Sequence, residues 1–407
     1  MASRKDKKGR VLHHGETQRK DGYYIYQYTD AHRKRRTLYA KSLLELREKE
    51  EALQSDLLAG IDPYLARSMT LNMAFDRYIR TKVALKESTY TNYVYMYDSI
   101  VRGTLGEQKV YRIKYSDVLA FYISLLEIGK YRINTIDNLQ SVLHPTFTML
   151  VRDGIIRQNP SDRIIAEIKK MAKWDTIEKH ALTVDQQKAF MSYVADNPIF
   201  YVWLPVFTFF LGTGCRASEV AGVCWDDIDF TNRIVKIRRN LLYRKRPTGD
   251  CSYYISTPKT KSGERTIPLI DKVYDMLKEE YEKQKEEGFP SPVVDGRSGF
   301  VFKGRSNCLL GSHNLNKVIQ RIVRTYNEEE QEKAEKESRE PFYLPHFSCH
   351  ILRHTFCTRY CEVESNIKVI QEVMGHADIT TTMNIYAEAT ADAKKESMQQ
   401  HQMNLLL

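Results

Sequence analysis

One short segment in the second half of the chain, "CHILRHTFCT" at residues 349–358, concentrates side chains that can act on a proton or a phosphate. His350 and Arg353 are three residues apart, which places them on one face of a helix. An arginine guanidinium offers a fixed fork of donors to phosphate oxygens, and a histidine accepts a proton near neutral pH. The pair suggests phosphate chemistry, but an arginine beside a histidine is common on helices and carries little weight alone.

The same segment raises the alternative of a metal site, because His354, Cys357 and Cys361 follow at helical spacing. Positions 350 and 361 of one helix lie roughly 16 Å apart, whereas the ligands of one zinc ion all lie about 2.0–2.3 Å from it. At most a neighbouring pair could share an ion, so we predict no metal site. We interpret the two cysteines as core residues and His354 as structural.

The sequence that follows, "NIKVIQEVMGHADITTTMNIYAEA" from residue 366, adds two further candidates. It predicts a helix that ends at Gly375 as its C-cap, His376 in the next loop, and a new helix that is capped by Asp378 and carries Tyr386. Since the chain contains 26 tyrosines, one tyrosine is uninformative. The informative feature is a Gly-His pair ten residues before a tyrosine, downstream of a His-x-x-Arg-His segment.

The chain that must position these residues is long and basic. Its 407 residues predict two or three domains at about 150 residues each. Lys and Arg number 62 against 52 Asp and Glu, a net charge of +10. Residues 1–41 contain twelve basic and four acidic side chains. This concentration of positive charge favours a polyanionic partner.

Cysteine usage and hydropathy indicate the cellular compartment. The seven cysteines form no regular framework, which is typical of a reducing, cytoplasmic environment. The most apolar stretch, 199–212, is shorter than the about 20 residues that a membrane span needs and contains Pro205. The basic N-terminus lacks the apolar segment of a secretory signal. We therefore predict a cytoplasmic protein with no membrane segment and interpret 199–212 as a buried helix.

The pattern along the chain predicts a multidomain, mainly α protein. Strands at 22–30 and 33–42 precede a helix capped by Ser42, and four or five amphipathic helices follow. A third region opens at a capping box of Thr183 and Gln186 and includes strands at 233–239, 252–260 and 264–269, the last two joined by a tight turn. The predicted boundaries are 1–66 for a small basic sheet-plus-helix domain, 67–165 for a helical domain, 166–180 for a linker, 181–390 for an α+β domain and 391–407 for a tail.

These motifs resemble those of the tyrosine recombinases, also called the phage integrase family. "TGCRASEV" (213–220) resembles the family's first box, with Arg216 and its packing neighbour Glu219, and the segments at 349–358 and 375–386 resemble its second box. "TPKTKSGERTIPL" (257–269) resembles the hairpin of the catalytic lysine, which we assign to Lys259 with Lys261 as the rival. Tyr386 lies ten residues after His376, where nine is common in the family.

The resemblance implies a site and a mechanism. The catalytic residues it implies are Arg216, Lys259, His350, Arg353, His376 and Tyr386. The tyrosine would attack a DNA phosphorus to form a 3′-phosphotyrosine, while the two arginines and His376 stabilise the charge on the phosphate. His350 would accept the tyrosine's proton, and Lys259 would protonate the leaving 5′ oxygen. No metal or other cofactor is expected.

The resemblance also extends to the other domains and the partners. The helical region resembles the family's core-binding domain, and the N-terminal unit is similar to its arm-type DNA-binding domain, with wording nearest to integrases of Gram-positive conjugative transposons. Strands can lie in a DNA groove, so we predict DNA contacts by Arg19, Lys20, Tyr24, Tyr26, Arg33, Lys34, Arg35 and Arg36. The expected partners are double-stranded DNA of element ends and target, three further copies in a tetramer that exchange tails, and an accessory DNA-bending or excision protein.

The function this implies is site-specific recombination that excises and integrates a mobile element. Two alternatives remain open at this point. A type IB topoisomerase-like enzyme would use a similar site to relax DNA, and a DNA-binding regulator could keep the fold without catalysis. The separate basic N-terminal unit favours the recombinase over the first, and the filled catalytic positions favour it over the second.

Overall fold

The structure, a computed structural model, describes residues 4–30, 33–171, 180–245, 250–258 and 261–387 and forms two compact units, Met1–Thr176 and Ile177–Leu407. The first unit contains β1 (Glu16–Gln18), β2 (Tyr24–Thr29), β3 (Arg35–Ala40), α1 (Leu43–Leu58), α2 (Pro63–Ser68), α3 (Leu71–Arg80), α4 (Glu87–Ile100), α5 (Tyr115–Glu127), α6 (Ile133–Arg152) and α7 (Ile164–Met171). The prediction of a multidomain, mainly α protein is confirmed.

The second unit combines helices with a three-stranded sheet and a two-stranded sheet. Its elements are α8 (Val184–Asp196), α9 (Leu204–Thr213), α10 (Ala217–Gly222), β4 (Ile228–Asp229), β5 (Ile234–Ile237), β6 (Asn240–Lys245), β7 (Cys251–Ser256), β8 (Arg265–Pro268), α11 (Asp271–Glu286), α12 (Ser312–Glu337), α13 (Cys349–Val363), α14 (Ile367–Met374) and α15 (379–387). Among the described residues, none of the helices has both the length and the apolar character needed to cross a bilayer.

The N-terminal domain is an antiparallel sheet in the order β1-β2-β3 with α1 packed on one face. The Ser42 hydroxyl accepts a hydrogen bond from the Glu45 amide at 3.1 Å, so the predicted N-cap is confirmed. Tyr24, Leu38 and Leu46 form the small core between sheet and helix. Among the residues that the structure describes, no helix packs in the core on the opposite face of the sheet, whose side chains are mostly exposed.

Helices α2 to α7 share a separate core, in which Phe75 and Tyr97 stack with ring centroids 3.7 Å apart. Pro63 begins α2, because proline is well suited to the first turn of a helix. The predicted connector from 166 is still helical as far as Met171, with Ile168 buried in the same core; 172–179 lie outside the described residues.

The core of the second unit surrounds α9, which is the buried helix predicted from the apolar stretch. Phe207, Phe209 and Phe210 are fully buried, and α8, α11, α12 and α13 pack around them. The predicted capping box of Thr183 and Gln186 is present at the start of α8. This core supports the helix ends on which the site is built.

The strand pairing differs from the prediction. The segments 252–260 and 264–269 do not form a hairpin with each other, because β7 pairs with β6 whereas β8 pairs with β5. Burial explains the choice: Val235 of β5 and Ile267 of β8 lie opposite each other and are both buried in the main core. The β6–β7 ladder instead pairs Tyr243 with Tyr253 in a half-exposed position. β6 had no counterpart among the predicted strands.

Candidate active site

Two turns of the backbone bring the candidate residues together. The first turn follows α9, where Gly214 has φ +61° and the next helix begins after Arg216. A Cβ at Gly214 would collide with the ring of Phe356 on α13. Glycine is therefore needed both for the left-handed conformation and for the close approach of α13.

The second turn follows α14, where Gly375 has φ +63° and is the C-cap, as predicted. His376 comes directly after it. A Cβ at Gly375 would lie 2.8 Å from the carbonyl oxygen of Ser262. The turn that carries His376 is thus packed directly against the short helical turn at 261–263 that precedes β8.

The two predicted arginines converge on these turns. Arg353, on α13, donates from Nη1 to the Gly214 carbonyl at 2.8 Å and from Nη2 to the Met374 carbonyl at 2.6 Å. Arg216 donates from Nη2 to the Gly375 carbonyl at 2.9 Å. Both guanidiniums therefore belong to one cationic cup, as the proposed chemistry requires.

Glu219 is a buried carboxylate that binds the guanidiniums of the cup. Its side chain is 1% exposed, and its carboxylate accepts hydrogen bonds from Arg216 Nη1 at 2.6 Å and from Arg265 Nη2 at 2.9 Å. Arg353 Nη1 lies 3.9 Å from the same carboxylate. Burial acts to raise the pKa of Glu219, but the hydrogen bond and charge of Arg265 and the charge of Arg216 outweigh it and hold that pKa below its usual range.

Arg265 is a member of the site that sequence reasoning missed. Its side chain is 5% exposed, and besides its bond to Glu219 it donates from Nε to the Val373 carbonyl at 2.6 Å. One guanidinium thus joins β8, α10 and the end of α14. The alternation of the strand contained a signal, since Arg265 lies two residues before Ile267 and therefore on the same, inward face.

Burial and neighbouring cations set the charge state of two site residues. Burial lowers the pKa of Arg353 to about 10, and the charge of Arg216 adds to that effect, so Arg353 stays protonated at neutral pH. Burial, followed by the charges of Arg353, Arg216, Arg265 and His350, lowers the pKa of His376 to about 4. The imidazole of His376 is consequently neutral at pH 7.

The remaining predicted residues lie around the cup. His350 is exposed at the start of α13 and close enough to His376 to disfavour its protonation. Tyr386, on α15, is half-buried and packs in a cluster with Cys357, Cys361 and Met374. This places the predicted nucleophile against the helix that carries Arg353. Both cysteines are buried, so their interpretation as core residues is confirmed.

The lysine assignment stays a prediction. Lys259 lies outside the described residues. Lys261 begins the turn at 261–263, which packs against Gly375. The choice between the two lysines as proton donor is therefore made on sequence alone.

The geometry of the N-terminal sheet argues against some of the predicted DNA contacts. Tyr24 is 3% exposed, and its hydroxyl donates to Asp6 Oδ2 at 2.9 Å and accepts from Arg10 Nη2 at 2.7 Å. Tyr26 lies on the same face and packs on the same core. The alternation of tyrosines was predicted correctly, but α1 covers the face on which they lie. This argues against Tyr24 as a DNA contact.

Arg36 also lies on the covered face, opposite Tyr28 in the β2–β3 ladder. Its Nε donates to Asp30 Oδ2 at 2.8 Å, and its guanidinium stacks 3.4 Å from the centroid of the Tyr64 ring. The Arg36 side chain is therefore engaged in contacts within the protein. Its predicted DNA contact has no support in this geometry.

The uncovered face and the hairpin turns retain the other predicted contacts. Arg19, Lys20, Arg33, Lys34 and Arg35 are all exposed. Sequence reasoning missed Tyr39, which is 54% exposed and lies on the uncovered face opposite Ile25. An exposed aromatic ring on a basic sheet is the signal that could have identified it. DNA contact by these residues stays a prediction.

One group of side chains has ligand atoms close enough for a metal ion among the described residues: Cys224, Asp226 and Asp227. Arg239 already supplies positive charge there, since its Nη1 lies 2.7 Å from Asp227 Oδ2 and 3.3 Å from Asp226 Oδ1. A guanidinium between the two carboxylates leaves no need for a cation. We assign no metal to this group.

Residues 180–393 match the Phage integrase family, and residues 1–57 match the DNA binding domain of tn916 integrase. The transposase from transposon Tn1545 of Streptococcus pneumoniae is 34% identical over 408 residues, covering 97% of this chain and 96% of that protein. The transposase from transposon Tn916 of Enterococcus faecalis is 33% identical with the same coverage. Among solved structures, the integrase of transposon Tn1549 in complex with a circular intermediate DNA has a TM-score of 0.70 at 28% identity, covering 82% of this chain and 99% of that one.

Proposed function

This chain belongs to the phage integrase family of tyrosine recombinases, and we propose that Arg216, Arg353 and His376 bind the scissile phosphate of its DNA substrate. The protein is a site-specific recombinase of the transposon-integrase type, which excises and integrates a mobile element. The observation that carries the residue assignment is the convergence of both guanidiniums on the two turns at Gly214 and Gly375. The neutral ring of His376 follows directly after the second turn.

The reaction proceeds by two transfers of one phosphoryl group. The Tyr386 oxygen attacks the phosphorus, a phosphotyrosine bond forms, and the bond to the 5′ oxygen breaks; a second 5′ hydroxyl later reverses the step. His350 accepts the phenol proton, and Lys259 protonates the leaving oxygen. The extra negative charge on the non-bridging oxygens is met by the two arginines, which supply the positive charge that a metal ion provides in other enzymes.

Neither alternative function is favoured. A topoisomerase-like enzyme does not account for the N-terminal match to a transposon integrase DNA-binding domain. A non-catalytic regulator does not account for a chain that brings Arg216, Arg353 and His376 close together and packs Tyr386 in the cluster that includes Met374.

The DNA partners follow from the activity. Double-stranded DNA of the element ends and the target is the substrate, bound by an arm-type DNA-binding domain (1–66), a core-binding domain (67–165) and a catalytic domain (181–390). Recombination of two duplexes cuts four strands, and one tyrosine per subunit then requires four copies. We assign the tail, 391–407, to contact with a neighbouring copy; it lies outside the described residues. An accessory DNA-bending or excision protein completes the assembly.

Seven free thiols support a cytoplasmic location.

A nicked duplex from an element end tests the nucleophile. Cleavage beside the nick releases a short strand, so the covalent protein–DNA complex accumulates and can be counted on a denaturing gel. Tyr386→Phe should abolish the complex. Tyr360→Phe, in the same side-chain cluster, is the matched control and should retain it. A complex that survives Tyr386→Phe would refute the assignment.

A strand-exchange assay separates the recombinase from a relaxing enzyme. Two linear duplexes that carry element ends should yield recombinant products of new length. Relaxed circles from a supercoiled plasmid without any recombinant product would instead favour the topoisomerase-like activity.

DNA binding should also weaken steeply as the salt concentration increases, because many phosphates are neutralised.

A further inference from the structure

Thr382 lies six residues after His376, in the first turn of α15, and no step of the proposed reaction uses it. Its hydroxyl oxygen is 2.9 Å from Nδ1 of His376. Thr382 is fully buried and His376 is 8% exposed. A neutral imidazole has one donor nitrogen and one acceptor nitrogen, so a hydrogen bond at Nδ1 determines the role left to Nε2.

The surroundings of the Thr382 hydroxyl determine which of the two atoms donates in this hydrogen bond. Within the described part of the chain, Nδ1 of His376 is the one hydrogen-bond partner that the Thr382 hydroxyl has. If the hydroxyl donates to Nδ1, its proton is satisfied and the ring proton lies on Nε2. If Nδ1 donated instead, the hydroxyl proton would be buried without an acceptor, which disfavours that tautomer by roughly tenfold or more.

The rest of the ring is held in a way that leaves Nε2 available. The backbone amide of His376 donates to the Gln371 carbonyl at 3.2 Å, and the Gln371 side chain donates to the His376 carbonyl at 3.0 Å. Nε2 makes no hydrogen bond to any residue that the structure describes. The residue is therefore anchored through its backbone and Nδ1, with Nε2 the ring nitrogen that remains for a ligand.

The tautomer matters because the ring is neutral. Burial and the cations of the cup hold the pKa of His376 well below 7, so the ring cannot donate from both nitrogens at neutral pH. A non-bridging phosphate oxygen accepts hydrogen bonds and cannot donate one. His376 can therefore bind the phosphate only through a nitrogen that carries the single proton.

We propose that Thr382 is a positioning residue that fixes His376 as the Nε2–H tautomer, so that Nε2 donates to a non-bridging oxygen of the scissile phosphate. This inference rests on the proposed role of His376 and adds a residue that acts through it. A positioning role of this kind depends on the hydroxyl proton of Thr382, whereas a packing role would depend only on the shape of the side chain.

Two substitutions separate the hydroxyl from the shape. Thr382→Val keeps the branched volume and removes the donor, whereas Thr382→Ser keeps the donor. In single-turnover cleavage of the nicked duplex, Thr382→Val should slow cleavage by roughly tenfold or more, since one donor to a developing charge contributes about 100- to 1,000-fold. Thr382→Ser should stay within a few-fold of wild type, and DNA affinity should change in neither. The matched control is Thr381→Val, at an exposed neighbour, which should have no effect.

A double-mutant cycle tests whether Thr382 acts through the ring. On a His376→Ala background, Thr382→Val should cause no further loss of rate. An equal loss on both backgrounds would overturn the inference, because the threonine would then act by packing. A wild-type rate for His376→Ala alone is a different result: it would remove His376 from the proposed function and leave Thr382 without a role in cleavage.

Nitrogen NMR of the full chain with ¹⁵N-labelled histidine reads the tautomer independently of cleavage. The chain has 11 histidines, and the signals of His376 are those that disappear in His376→Ala. Wild type and Thr382→Ser should show the proton on Nε2, and Thr382→Val should show a mixture of both tautomers. A proton on Nδ1 in the wild type would refute the inference even if the proposed function holds.

Discussion

Replacing Arg265 with methionine tests how much the buried centre of the site depends on one guanidinium. Methionine keeps an unbranched apolar stem but removes the charge and every donor. The change leaves the Val373 carbonyl without its 2.6 Å donor and deprives the 1%-exposed Glu219 of its 2.9 Å partner. Removing one partner of a buried ion pair costs about 3–5 kcal/mol, because the other charge stays buried. We expect a loss of that size in the free energy of unfolding.

A matched arginine on the same unit provides the control. Arg233 pairs with Asp271 at 2.5 Å, but the two side chains are 45% and 86% exposed. An exposed pair contributes about 0–1 kcal/mol, since water and salt screen it. Arg233→Met should therefore change stability little, although it also removes one positive charge from the catalytic unit.

Thermal unfolding measures the difference. For a domain of about 150–250 residues, 1 kcal/mol corresponds to about 2–4 °C in Tm, so Arg265→Met should lower Tm by about 6–20 °C and Arg233→Met by less than about 4 °C. Urea unfolding at constant slope checks that the change reflects stability. Equal losses in the two variants would refute the reasoning, because burial would then have no bearing on the strength of the pair.

Three further results are expected. Burial and the neighbouring carboxylate of Glu16 raise the pKa of Glu50 from 4.5 to about 7. Between these two pH values the folded chain binds more protons than the unfolded chain, so the free energy of unfolding falls as pH rises from about 4.5 to 7. Glu50→Gln should flatten that pH dependence in urea unfolding. Tyr39→Ala should weaken binding to an arm-site duplex several-fold in fluorescence anisotropy at fixed salt, whereas Tyr24→Phe should not; the reverse order would place DNA on the covered face. Gly375→Ala should slow cleavage by about 100-fold, because it displaces the turn before the imidazole. Gly299→Ala, at a glycine whose φ of +78° is also positive but whose Cβ would have no atom within 4 Å, should leave cleavage unchanged.

The sequence was most informative where structure is decided locally. The caps at Ser42, Thr183 and Gly375 were predicted because a capping side chain or a left-handed glycine acts within a few residues. The alternation of tyrosines in β2 was predicted for the same reason. Which face of that sheet α1 covers depends on packing in three dimensions, and it is this packing that argues against Tyr24 as a DNA contact.

Non-local choices account for the other differences. The partner of β8 is a strand about 30 residues earlier in sequence, and the buried pair of Val235 and Ile267 selects it over the nearby β7. The catalytic candidates came from a resemblance between motifs, which names residues that meet the phosphate. Arg265 and Thr382 contact those residues rather than the substrate, and their partners are identified only in the folded geometry.

Tyr386 packs against Cys357 and Met374 of its own chain. With the proposed roles of Tyr386 and Arg216, this packing predicts that one polypeptide supplies both the nucleophile and the phosphate-binding side chains of each site. We therefore expect that an assembly mixing copies that lack Arg216 with copies that lack Tyr386 will not cut DNA in any proportion.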